Sequence, residues 1–177
     1  LGIYSSGLVQ YDGHTMELYT NEDGLRALTI RGLAIGPQGR LWVSSHSGLS
    51  VSKEPLSHYD LDHRVEFTNT LGSTELSAKN MVVAPVTAGE SVWAAARGYL
   101  MEYRLEPTGA WTTRTIALPV EKDMVIVLEV DHGRVLTGTQ ASLYELKGAS
   151  DELVELEVPE GCAGAIAVDI VDAMRTV

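Results

Sequence analysis

The stretch "GPQGRLWVSSHSGLSV" occupies residues 36–51 of the chain. It contains a turn with glycine and proline, an apolar run around Trp42, a polar turn around His46, and a second apolar run that begins at Gly48. Short apolar runs bounded by such turns are typical of a β-hairpin. The fold therefore depends on whether this hairpin stands alone or recurs along the chain.

The hairpin recurs. "GRLWVSSHSGLSV" (39–51) aligns with "ESVWAAARGYLMEY" (90–103), with "GRVLTGTQASLYEL" (133–146) and with the opening "LGIYSSGLVQYDG" (1–13). In this alignment Gly7, Gly48, Gly98 and Ser142 are equivalent, and they follow one another after 41, 50 and 44 residues. Repeats of this length are typical of propeller blades and are longer than leucine-rich or helical solenoid repeats.

Each repeat predicts four strands. A nearly continuous apolar run comes first, as in "IRGLAI" from Ile30, "NMVVAPV" from Asn80 and "MVIVLEV" from Met124, and it predicts an innermost strand buried on both faces. The two strands of the hairpin follow, and then a more polar outer strand: "TMELYT", "RVEFTNT", "AWTTRTIAL" or "ELVELEV". We therefore predict an all-β fold, a β-propeller of four-stranded antiparallel blades with about four blades present.

The repeat also predicts the blade boundaries. A partial blade covers residues 1–29, blades cover 30–79, 80–122 and 123–162, and residues 163–177 begin with the first strand of a next or closing blade. The strand "AGAIAVDIV" (163–171) could complete the opening blade and close a small ring, or the chain could be an arc of a larger propeller. Because the chain begins in mid-strand and without methionine, we expect a piece of something longer.

The composition limits the kinds of partner that the protein can bind. Hydrophobic residues make up 45% of the 177 residues and charged residues 21%, as in soluble globular domains. The net charge of −11 and the scattered Lys and Arg residues oppose binding to nucleic acid or to an anionic membrane surface. No apolar run approaches the roughly 18 residues of a membrane span, so we predict no direct membrane insertion. The single cysteine, Cys162, excludes an internal disulfide.

Two stretches carry a family resemblance. "IRGLAIGPQGRLWVSSHSGLSV" (30–51) and "YDGHTMELYTNEDGL" (11–25) resemble the two-component regulator propeller repeat, in which an apolar strand precedes a D-x-x-G-x-L-W turn and a Gly-Leu strand. The resemblance is good over residues 1–53 and weaker beyond, and Gly36 stands where the family usually has Asp. It implies a periplasmic or extracellular sensor domain, joined through a membrane segment to a kinase or another output, that recognises ligands such as saccharides, often as a dimer.

Motifs for catalysis are missing from the sequence. There is no G-x-S-x-G nucleophile elbow, no phosphate-binding loop and no calcium loop. The segment "HYDLDH" (58–63) would place His58, Asp60 and Asp62 on one face of an extended strand, but its spacing is that of no known metal site, and a polar excursion between strands explains it. We therefore predict no catalytic residues, no metal and no cofactor.

Ligand binding is the remaining candidate function. In a propeller one face collects the turns between second and third strands and the links between blades, which here predicts a rim of Ser45, His46, Arg97 and Gln140, with Asn21 and Asp23 from the first link. Such a polar ring suits a small polar ligand or a peptide. Together with the sensor domain that the family resemblance implies, it leads us to predict a non-catalytic ligand-binding sensor. A protein-interaction scaffold, and a hydrolase or lyase with carboxylates in the central funnel, stay open as alternatives. A homodimer, or the remaining blades of a larger propeller, are the predicted protein partners.

The tryptophans are predicted to be structural. Trp42 and Trp93 are large enough to fill the wedge between neighbouring blades. Trp111, at the start of an outer strand, is the better candidate for an exposed platform that stacks on a sugar.

Overall fold

The computed structural model of the protein describes residues 2–3, 6–59, 63–69, 86–88, 90–96, 98–108, 110–119, 125, 127–131, 134–139, 142–147 and 150–157. These residues form four antiparallel sheets. The first sheet contains β1 (Gly2–Ile3), β2 (Gly7–Tyr11) and β3 (Met16–Tyr19), and the second contains β4 (Ile30–Ile35), β5 (Leu41–Ser45), β6 (Gly48–Ser52) and β7 (Phe67–Asn69). The third sheet contains β8 (Val86–Ala88), β9 (Ser91–Ala96), β10 (Tyr99–Leu105) and β11 (Trp111–Ala117), and the fourth contains β12 (Val127–Asp131), β13 (Arg134–Gly138), β14 (Leu143–Leu146) and β15 (Leu153–Leu156).

The strands of each sheet follow one another in chain order, each antiparallel to the next. Three sheets have four strands, and the first sheet has three within the described residues. This is the blade of a propeller, so the predicted fold class is confirmed. The turns are short, and 3-10 segments lie at Asn21–Asp23, Pro37–Gly39 and Leu56–His58.

Consecutive sheets pack face to face, and each joint has its own apolar cluster. The first joint buries Leu8 and Tyr19 of the first sheet against Val43 and Phe67 of the second. The second joint is centred on Trp42, and the third buries Trp93 of the third sheet against Val135 of the fourth. Along the inner side, β4 lies next to β8 and β8 next to β12. The core is therefore a row of wedges between blades, as the positions of Trp42 and Trp93 predict.

The inner strand of the second sheet differs from the prediction. "IRGLAI" forms β4 as expected, but its residues alternate between partly buried and exposed positions, and Leu33 and Ile35 are 38% and 53% exposed. The expectation of burial on both faces is wrong for this strand. The reason is that one face of β4 packs towards the third sheet, whereas the other face has only the two-residue strand β1 as a described neighbour on the inner side.

Other predicted segments differ in extent or lie outside the described residues. His58 ends a 3-10 segment and is not part of an extended strand, so the expected alignment of "HYDLDH" on one strand face is wrong at its first residue. Asp60 and Asp62, most of "NMVVAPV" and the whole of residues 163–177 lie outside the described residues.

A compact ion-pair network stabilises the far side of the fourth sheet. Glu145 on β14 is 7% exposed, and its carboxylate accepts from Arg134 Nε and from Lys147 Nζ, each at 2.8 Å. These two cations hold the pKa of Glu145 at about 2, well below its usual value of 4.5. Glu145 is therefore a charged residue that the folded state keeps ionised.

Acid titration should reveal this network. Because the folded-state pKa of Glu145 lies below its unfolded value, the network stabilises the fold above about pH 4.5, and this stabilisation is lost as the pH falls towards 2. Arg134 and Lys147 are about half exposed, so we expect a contribution of about 1–2 kcal/mol after solvent screening. Urea unfolding of Glu145→Gln should show a shallower loss of stability between pH 5 and 2.5 than the wild type. The exposed Glu152→Gln is the control, and an equal slope in all three proteins would contradict the assignment.

Substitution of Gly24 tests whether close backbone packing is needed at the first joint. Its φ is +93°, and a Cβ there would collide with the carbonyl oxygen of Phe67. Gly13 has nearly the same φ, +102°, but a Cβ there would meet no atom within 4 Å. Gly13→Ala should therefore cost only the left-handed backbone term, about 1–2 kcal/mol. Gly24→Ala should cost about 2 kcal/mol more by urea unfolding, because a main-chain atom must move. Equal costs for the two variants would show that the contact with Phe67 is not a constraint.

Candidate functional site

The link between the first and second sheets is fixed by its own side chains. Thr20 caps the 3-10 segment Asn21–Asp23, since its hydroxyl accepts from the N–H of Glu22 at 3.2 Å, and the carboxylate of Asp23 accepts from the N–H of Thr20 at 2.8 Å. Asn21 Nδ2 donates to the carbonyl of Leu25 at 2.7 Å. The side chains of Thr20, Asn21 and Asp23 therefore already form hydrogen bonds with the backbone of the link.

Asp23 also takes part in the first joint. Arg64, just before the outer strand β7, donates from Nε and Nη2 to Asp23 Oδ1 at 3.1 and 2.9 Å, and from Nη2 to the carbonyl of Leu18 at 2.8 Å. The guanidinium lies 4.7 Å from the centre of the Tyr19 ring. The Asp23 side chain is only 15% exposed, and its hydrogen bond raises the pKa of Arg64. Asp23 is thus an anchor between the first and second sheets.

Ser45 and His46 lie at the turn between β5 and β6, and they differ in accessibility. Ser45 is 2% exposed, and its hydroxyl donates to the carbonyl of Gly48 at 3.0 Å. The side chain of His46 is exposed, and its backbone N–H donates to the carbonyl of Thr29, at the end of the link, at 3.1 Å. The turn and the link are therefore joined at this point, and His46 is the side chain there that faces solvent.

The structure separates the predicted rim into two groups. Ser45 lies opposite Ile30 on the inner strand β4, next to His46. Asn21 and Asp23 lie further out, where the link passes the residues that lead into the outer strand β7. Arg97 and Gln140 lie outside the described residues, so their place in the rim stays a prediction, as does ligand binding by the whole set.

The first joint contains a cavity that the sequence did not indicate. It has a volume of about 320 Å³ and is partly open to solvent. Its walls come from both sheets and from the loop before β7, and they are formed by Leu8, Val9, Gln10, Tyr19, Leu33, Leu41, Leu56, Tyr59, Val65 and Phe67. The Tyr19 hydroxyl, which lies 2.9 Å from Gln10 Oε1, is a polar group at this wall, and burial raises the pKa of Tyr19. We call this space the wedge cavity.

Trp111 does not form an open platform. It is partly buried, and its ring lies edge-on to Trp42 with ring centres 5.0 Å apart, against the cluster of the second joint. The interpretation of Trp111 as a sugar-stacking residue is therefore not favoured. It contributes to the wedge between the second and third sheets.

The chemistry available at these positions is limited. Within the described residues, no three or more His, Cys, Asp and Glu side chains lie together in a way that could hold a metal ion. None of the helices in the described part of the chain has the length and apolar character needed to cross a membrane. Among the described residues of the inner part of the rim, His46 is the one exposed side chain that can both donate and accept a hydrogen bond.

The anchoring role of Asp23 can be measured by a double-mutant cycle with Arg64. We expect Asp23→Asn and Arg64→Met to be coupled by about 1 kcal/mol, because a largely buried carboxylate accepts two charge-assisted hydrogen bonds. The matched control is the ion pair Lys53–Glu66, whose side chains are 54% and 64% exposed and whose coupling should be clearly smaller because solvent screens it. A coupling for Asp23 and Arg64 no larger than that of the control would refute the anchor.

Comparisons with known proteins support the fold. No protein-family model matches the chain, and no curated protein sequence matches it either. Among solved structures, the extracellular domain of a two-component system protein from B. thetaiotaomicron matches 81% of this chain with a TM-score of 0.62 and 13% identity. A second structure of that extracellular domain, described as part of a one-component system, matches 88% with a TM-score of 0.67 and 19% identity.

A lyase has the same fold. Virginiamycin B lyase from Staphylococcus aureus, in an inactive variant with quinupristin, matches 88% of this chain with a TM-score of 0.59 and 10% identity. The chain spans about a fifth of the length of the extracellular domains, of which 18% and 20% are matched, and about half of the lyase chain, of which 49% is matched. At these identities the likeness shows a common fold, and this fold occurs in both sensor and lyase proteins.

Proposed function

We propose that this chain is the ligand-recognising part of an extracytoplasmic sensor, and that it binds a small polar ligand, with neutral saccharides as the first class to test. The observation that carries this proposal is the fold match over 81–88% of the chain to the extracellular domain of a two-component system protein. The repeat resemblance in residues 1–53 points to the same class of protein. A location outside the cytoplasm is part of the proposal.

His46 is the proposed centre of the binding site. Its exposed imidazole can donate and accept, and its backbone is tied to the link through the carbonyl of Thr29. A ligand that contacts His46 therefore also approaches the link between the first two sheets. Because the net charge is −11, a neutral ligand approaches more readily than an anionic one.

The test combines a ligand screen with two histidine variants. Neutral saccharides are screened by thermal shift, and any that stabilises the protein is titrated by calorimetry. His46→Ala should raise the Kd about 3- to 10-fold, the effect of one lost hydrogen bond. His14→Ala should leave the Kd unchanged, because His14 is also exposed but lies on the turn between β2 and β3, at the opposite end of its sheet. No stabilising saccharide, or equal losses in both variants, would count against the proposal.

A lyase is the second candidate, favoured by the fold match to virginiamycin B lyase. The carboxylate of Asp23 is a poor candidate for acid–base chemistry, because Arg64 and the N–H of Thr20 already occupy it. The same preparation should be incubated with quinupristin and followed by mass spectrometry. The sensor proposal expects no turnover, and turnover that His46→Ala abolishes would establish the lyase instead.

A further inference from the structure

The wedge cavity between the first and second sheets has the size of a site for a small molecule. Its volume of about 320 Å³ lies at the lower end of the range of ligand pockets, which is about 300–1,000 Å³. Closely packed interiors leave few voids larger than one water molecule. Because a water molecule takes up about 30 Å³ in the liquid, the cavity corresponds to a molecule of roughly ten non-hydrogen atoms.

The cavity has a buried floor and an exposed mouth. The most buried apolar side chains of its floor are 2–5% exposed and are Leu8, Tyr19, Val65 and Phe67. Gln10 on β2 and Leu33 on β4 also line the cavity, and both of these residues are exposed. These two residues mark the side from which a molecule enters, and the apolar floor is where burial of its surface stabilises binding.

Aromatic rings form a large part of the wall, and contacts with their neighbours hold them in place. Tyr19 and Phe67 meet edge to face, with ring centres 6.0 Å apart and an angle of 83° between the planes. The guanidinium of Arg64 lies 4.7 Å from the centre of the Tyr19 ring. The hydroxyl of Tyr59 accepts from the N–H of Glu54 at 3.2 Å. Rings held in this way are preorganised for contact with another ring, so the wall favours an aromatic molecule.

One polar group at the mouth is suited to accept a hydrogen bond. The Tyr19 hydroxyl lies 2.9 Å from Gln10 Oε1 and 3.1 Å from Glu17 Oε2, but its single proton can be donated to only one of them at a time. Because a charged carboxylate is the stronger acceptor, Gln10 Oε1 is the oxygen left for a donor on a bound molecule. The negative charge of Glu17 also opposes the binding of an anion.

We propose that the wedge cavity is a second binding site, which takes a small neutral aromatic molecule with one hydrogen-bond donor, such as a phenol or an indole. The ring lies among the apolar side chains of the wall, and its O–H or N–H donates to Gln10 Oε1. Leu41, in the cavity wall, is the first residue of β5, whereas His46 directly follows the last. The two sites are therefore at opposite ends of this strand, and this proposal does not rest on the saccharide site.

Three probes of similar size test the proposal on the whole chain. In calorimetry para-cresol should bind with a Kd of about 0.1–1 mM, as expected for so small a ligand, and it should raise Tm. Toluene, which has no donor, should bind about 3- to 10-fold more weakly, and the anion benzoate should not bind detectably. In methyl NMR spectra para-cresol should shift the signals of Leu8, Leu41 and Val65. The signals of Leu128 and Val135, in the third joint, should stay unchanged.

Two variants locate the site, and each has its own control. Leu33→Trp narrows the mouth and should raise the Kd of para-cresol at least 10-fold, without loss of stability because residue 33 is 38% exposed. Ile35→Trp is the matched control: it lies on the same face of β4 and is 53% exposed, but it is outside the cavity wall, so the Kd should not change. Gln10→Leu should raise the Kd of para-cresol about 3- to 10-fold and leave that of toluene unchanged.

The outcomes that overturn the proposal are distinct. The absence of any Tm rise and of any methyl shift with para-cresol and with indole would exclude the site. Equal losses in Leu33→Trp and Ile35→Trp would place the binding elsewhere, and benzoate that binds as tightly as para-cresol would refute the neutral ligand. Toluene that binds as tightly would refute the donor to Gln10. His46→Ala should leave the Kd of para-cresol unchanged, so the failure of this proposal and the failure of the sensor proposal are seen in different measurements.

Discussion

The fold depends on the burial of one indole ring between two sheets. Trp42 is 1% exposed, and its ring packs against Tyr103 and Trp111 of the third sheet, with ring centres 5.4 and 5.0 Å apart. Aromatic pairs at such distances add to the energy of area burial, so these contacts strengthen the joint between the second and third sheets. Because the described strands form their backbone ladders within their own sheets, side-chain contacts such as this one hold successive sheets together.

The space that the Trp42 indole needs explains why residue 36 departs from the repeat pattern. The propeller repeat that this chain resembles usually has Asp at the position of Gly36. A Cβ at residue 36 would collide with the Trp42 indole and would lie 2.9 Å from Val92 Cγ2. The φ of Gly36 is −91°, so the constraint is space and not backbone conformation. The glycine that weakens the family signature is thus the residue that lets the indole lie against the turn.

The sheets could be predicted from the sequence because each blade is formed by one continuous stretch of the chain. Its strands are consecutive, so the spacing of Gly7, Gly48 and Gly98 and the apolar runs between turns define it without any long-range information. What the sequence could not predict depends on neighbours in space. "IRGLAI" is apolar apart from Arg31, but only the presence or absence of an adjoining inner strand decides whether Leu33 is covered. The wedge cavity is hidden from the sequence for the same reason.

The candidate rim shows a similar limit. Turn residues from different strands were grouped by topology alone. Ser45 and His46 lie at one turn because they are consecutive in the sequence, whereas Asp23 lies further out, beside Arg64. Topology does not reveal that Ser45 is buried, nor that Arg64, 41 residues from Asp23, neutralises that carboxylate. A polar residue in a turn can satisfy the backbone around it or face solvent, and these uses look the same in one sequence. Only contacts across the joint distinguish them.

The polar groups of the first joint differ in whether they are available to a ligand. The link is held against the second sheet by hydrogen bonds of Thr20, Asp23 and Arg64. A ligand could bind these groups only by breaking those bonds, which would loosen the first joint. His46 is tied to that link only through its backbone, which leaves the imidazole available. His46 therefore places an exposed imidazole at the joint between the first two sheets.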